Sequence, residues 1–68
     1  MEMEKEVIVN GFINGNRTKI KNYCVNHYTA REIRLMFMEL AGYSFKKSTL
    51  IAEWMIDGTG FQEMCDEE

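Results

Sequence analysis

Thiols and imidazole are scarce in this 68-residue chain, which has two cysteines, Cys24 and Cys65, and one histidine, His27. Two cysteines are too few for the disulfide framework of a small secreted domain. No N-terminal stretch joins basic residues to an apolar run of about 7 to 15 residues either. The chain therefore reads as cytoplasmic, with free thiols. Long apolar runs are missing as well. The stretches at 35–41 and 50–56 are broken by Glu39 and Glu53, and both fall short of the about 20 residues a membrane helix needs. No membrane partner is expected.

The same scarcity argues against catalysis. A nucleophile, a base and a group to orient them are hard to assemble around a single histidine, so the chain is not expected to be an enzyme. Cys24 and His27 stand at a spacing that metal ligands use, and Cys65 offers a third ligand. A closed zinc site wants four, so the expectation is no metal and no cofactor. Gly58-Thr59-Gly60 lacks the Lys-Ser/Thr of a phosphate-binding loop, and no small-molecule substrate is expected.

Length allows one domain over residues 1–68, with 1–5 and 66–68 expected to fray. Below about 70 to 80 residues a core alone seldom supplies more than about 3 to 5 kcal/mol. Self-association is one remedy.

What is present is segregated charge. Residues 1–16 sum to −2 and residues 48–68 to −6. Between them residues 17–47 sum to +5, with Arg17, Lys19, Lys21, Arg31, Arg34, Lys46 and Lys47 against Glu32 and Glu39.

Secondary-structure signals follow. Residues 6–13 and 17–25 are rich in β-branched and aromatic side chains, and Asn14-Gly15-Asn16 lies between them. Asn-Gly between two such runs predicts a β-hairpin. Gly11 within the first run predicts either a bulge or a close helix packed over the backbone. Thr29 and Glu32 then form a capping box, with Tyr28 and Ile33 as its staple. Ile33, Met36, Phe37, Leu40 and Ala41 repeat at helical spacing up to Gly42. Ser44 caps a second helix carrying Leu50, Ile51, Trp54, Met55 and Ile56 up to Gly58. Thr59 and Gln62 look like a weaker box that opens a short turn with Phe61 and Met64. The predicted class is α+β: an N-terminal β-hairpin, helices over 30–41 and 45–57, and a short C-terminal helical turn.

On a regular strand Arg17, Lys19 and Lys21 leave from one face, and a basic ribbon fits a DNA major groove. Lys46 and Lys47 crowd the start of the second helix, where a bound phosphate relieves their repulsion by the helix dipole. With Ser44 these form the expected nucleic-acid-binding set. Over residues 17–57, the basic strand, the helix, the Gly-x-Ser turn at 42–44 and the second helix resemble the ribbon-helix-helix DNA-binding proteins. That resemblance implies a ribbon built from the strands of two chains. Asn14-Gly15 departs from it by implying a partner strand in the same chain. A helix-turn-helix over 30–57 is disfavoured by bulky Met38 and polar Ser48.

Both helices carry more apolar surface than packing on one hairpin requires. Leu35, Met38, Leu50, Trp54 and Met55 are the expected interface, and a homodimer the expected assembly. The leading reading is a small, non-enzymatic regulator, homodimeric and nucleic-acid-binding. The alternative is a protein-binding inhibitor or adaptor that uses the Met- and Trp-rich helical surface.

Overall fold

A computed structural model describes residues 3–66, which form five helices and no strand. They are α1 (Lys5–Ile13), α2 (Arg17–His27), α3 (Ala30–Leu40), α4 (Phe45–Asp57) and α5 (Phe61–Asp66). The α+β expectation is corrected in its first half: both predicted strands are helices, and the class is all-α. The likeness to ribbon-helix-helix proteins fails with it, because the segment that would be the ribbon is α2.

The physical reason lies in which residues are buried. β-Branched side chains fit a pleated, half-buried surface, but that preference yields to packing. In α1 the buried residues are Ile8, Val9 and Phe12, grouped on one side of a helix. In α2 Ile20 and Cys24 are buried, while Arg17 and Lys21 are half-buried beside them. Positions 17, 20, 21 and 24 follow the i, i+3, i+4, i+7 stripe of an amphipathic helix.

Asn14-Gly15 does make a turn, but of another kind. Gly15 has φ +101°. Its N–H donates to the Phe12 carbonyl at 3.2 Å, and the Asn16 N–H donates to the Gly11 carbonyl at 2.9 Å. This is the Schellman pattern that closes a helix. A positive-φ glycine serves a hairpin or a helix end equally well, so the dipeptide located the corner without deciding its neighbours. Gly11 lies where α1 and α2 approach closely: an added Cβ would sit 2.9 Å from Ile20 Cδ1. There is no bulge, since there is no strand.

The later elements follow their sequence signals. The Thr29 hydroxyl accepts from the Glu32 N–H at 3.2 Å, and the Glu32 carboxylate accepts from the Thr29 N–H at 2.9 Å. Ser44 Oγ accepts from the Lys47 N–H at 3.1 Å, and Gly58 caps α4. The box expected of Thr59 and Gln62 is not formed, as Gln62 donates instead to Asp66 at 3.3 Å. Of the tips expected to fray, residues 1, 2, 67 and 68 lie outside the described residues. Lys5 opens α1, and the Met3 N–H donates to the Tyr23 hydroxyl at 3.0 Å.

Helix α4 is the centre of the fold, packed on α3, α2 and α5, while α1 covers α2 and α3. Ile8, Cys24, Ile33, Phe37, Ile51 and Met55 are fully buried between them. Phe12 meets Phe37 edge-on at 5.1 Å and Trp54 at 6.2 Å, tying α1 to α3 and α4. Ser48 is buried with these side chains. No helix of the described residues is long and apolar enough to cross a membrane.

Candidate functional site

Because α2 is helical, its three cations do not share a face. Successive residues turn by about 100°, so Arg17 and Lys21 lie on one side and Lys19 on the other. Lys19 is exposed, and Lys21 is half-buried with its ammonium 6.0 Å from the Trp54 ring centre. The flat basic ribbon expected from Arg17, Lys19 and Lys21 therefore does not exist.

Another grouping replaces it. The end of α1, the start of α2, the start of α4 and the helix α5 surround a cavity of about 170 Å³. Its two cations are Arg17, the first residue of α2, and Lys47, in the first turn of α4. Phe12, Ile51 and Met64 supply apolar wall, and Tyr43, Ile13 and Cys65 complete it. Arg17 lies over the Phe12 ring at 5.5 Å and Lys47 over the Tyr43 ring at 4.0 Å. No carboxylate of the described residues pairs with either cation, and neither helix has an acid in its first turn. The positive ends of two helix dipoles therefore add to two side-chain charges around one recess. Arg17 Nε is shielded from solvent and has no hydrogen-bond partner.

Compared with protein-family models, curated proteins and solved structures, the chain matches none.

Of the remaining expected nucleic-acid residues, Ser44 is committed to capping α4, and Lys46 is exposed beside Lys47. Of the expected interface residues, Trp54 and Met55 belong to the core, at 9 % and 0 % exposure. Leu50 and Met38 are half-buried, and Leu35 is exposed on α3. Among the described residues the most exposed large apolar side chain is Phe45, at 58 %, under the Arg34 guanidinium at 4.9 Å.

Cys24 is buried, and burial pushes its thiol up from 9.0 to about 11. His27 is exposed, stacked on Tyr23 at 4.0 Å, with Nδ1 2.8 Å from the Tyr23 carbonyl oxygen. Among the described residues, no three His, Cys, Asp or Glu side chains gather as metal ligands.

Sequence reasoning missed Phe12, Tyr43, Met64 and Cys65 as cavity residues because four separate elements bring them together. One signal was available: Tyr43 and Lys47 stand four apart across the start of α4.

Proposed function

We propose that the protein is a non-enzymatic, cytoplasmic regulator that binds nucleic acid on the side where α2 and α4 begin. One observation carries this reading: Arg17 and Lys47, far apart in the chain, line a single cavity and are unpaired by any described carboxylate. Phosphate oxygens are the natural acceptors for such a site, since helix starts and Arg or Lys side chains together make most backbone contacts to nucleic acid. The free thiols of Cys24 and Cys65 fit a reducing compartment.

Binding of a labelled strand or duplex of about 20 nucleotides, measured by anisotropy across a salt series, tests the reading. Each phosphate neutralised should steepen the slope of log affinity against log salt by about 0.7 for a single strand or about 0.9 for a duplex. Absence of binding at low salt, or affinity indifferent to salt, would sink it.

A second reading, association with a further protein chain, is favoured by the exposure of Leu35 at 41 % and Phe45 at 58 %. A second copy of this chain is the proposed occupant of that surface, since self-association also supplies stability that a short chain lacks. Light scattering should show a dimer that Leu35→Glu dissociates. A wild-type monomer at high concentration rejects it.

A further inference from the structure

We infer that the cavity between α1, α2, α4 and α5 takes the terminal phosphate monoester of a nucleic-acid strand. This rests on the nucleic-acid reading above and narrows it from phosphates in general to a chain end.

Charge is the first argument. A phosphodiester inside a strand carries one negative charge, whereas a monoester carries about 1.5 to 2 at neutral pH. The cavity presents two cations, Arg17 and Lys47, and no described carboxylate pairs with them. A diester would leave one of the two uncompensated.

Hydrogen bonding is the second. Arg17 Nε is out of solvent without an acceptor, and a shielded donor left unsatisfied is unfavourable. The planar guanidinium of Arg17 lines the cavity, where it can donate two parallel bonds to two of the three oxygens of a terminal phosphate.

Shape and polarity are the third. The cavity measures about 170 Å³ and is walled by parts of four elements, so it is a recess for an end and not a channel for a strand passing through. Its wall includes Phe12, Ile51 and Met64, which disfavours a fully hydrated inorganic ion and favours a phosphate carried on a carbon framework.

The experiment compares three labelled single strands of one sequence, ending in a 5′-phosphate, a 3′-phosphate or hydroxyls only. One of the phosphorylated strands should bind about tenfold or more tightly than the hydroxyl strand, and which one does so identifies the end. Arg17→Gln and Lys47→Gln, checked for native helix content, should each remove most of that difference while the hydroxyl strand still binds. Arg17→Lys should restore part of it. A readout on the unaltered chain stands beside these: the matching nucleoside monophosphate should slow modification of Cys65, which lines the cavity, and leave Cys24 unmodified throughout.

Equal binding of all three strands overturns the inference and leaves the nucleic-acid reading intact. No binding of any strand removes both. Unchanged Cys65 reactivity, or a phosphoserine peptide binding more tightly than any strand, overturns the inference as well.

Discussion

A methyl group placed on Gly11 would lie 2.9 Å from Ile20 Cδ1 and 3.2 Å from Ile20 Cγ1, so α1 and α2 meet as they do because Gly11 has no side chain. Ile20 is buried and can yield only at its tip. Gly11→Val should therefore lower the unfolding free energy by about 1 to 3 kcal/mol in a urea titration. Gly11→Ala should come out near zero, because about 1 kcal/mol of helix preference opposes the displaced Ile20. A valine variant as stable as the wild type would contradict the contact.

Thr29 and Glu32 close the start of α3 reciprocally, at 3.2 and 2.9 Å. Removing the hydroxyl leaves the Glu32 N–H without its partner. Thr29→Ala should destabilise by about 0.5 to 2 kcal/mol, and Thr29→Ser should retain most of the cap. Urea midpoints measured side by side decide it.

Ser48 is fully buried in α4 and its hydroxyl has no hydrogen-bond partner. A shielded, unsatisfied hydroxyl opposes folding, and alanine is the better helix former. Ser48→Ala should raise the melting temperature, with a gain of about 0.5 to 2 kcal/mol. A loss of stability would mean that the hydroxyl has a partner in solution.

Burial holds the Cys24 thiol at about 11 against 9.0, so the folded chain keeps this proton longer than the unfolded one. Its contribution is complete below about pH 9 and is lost as the pH climbs through about 11. Cys24→Ala starts less stable, because a buried side chain has been cut back. The gap to the wild type should narrow between about pH 8 and about pH 11. A gap that stays constant across that range would show that the thiol does not titrate differently in the two states.

Helices α3 and α4 were legible because their signals are local and of one meaning. Thr29 with Glu32, Ser44, and the spacing of Ile33, Met36 and Phe37 each predict a helix and nothing else, and all are found in those roles. The first half was misread because its signals have two meanings. Val7, Ile8 and Val9 suit a strand, yet Ile8, Val9 and Phe12 also share one side of a helix. In α2 the helical stripe was hidden by chemistry: two of its four positions are Arg17 and Lys21, whose charged groups lie over the Phe12 and Trp54 rings. Of the candidate site, Arg17 and Lys47 were each singled out, but for a strand face and a helix start treated as separate features. Their meeting depends on how α2 packs on α4, which no local pattern carries.

That meeting makes a prediction about Lys19. Were binding governed by total charge, Lys19→Glu, which changes the net charge by two, would harm it more than Arg17→Gln, which changes it by one. Lys19 is exposed on the side of α2 away from Arg17 and Lys21. At about 0.15 M salt, charges separated by more than about 8 Å are largely screened. Lys19→Glu should therefore weaken nucleic-acid binding only about two- to threefold. Arg17→Gln should weaken it about tenfold, through lost bonds at the cavity. If the measured order is reversed, the cations act as a diffuse field and the recess between α2 and α4 is not the anchor.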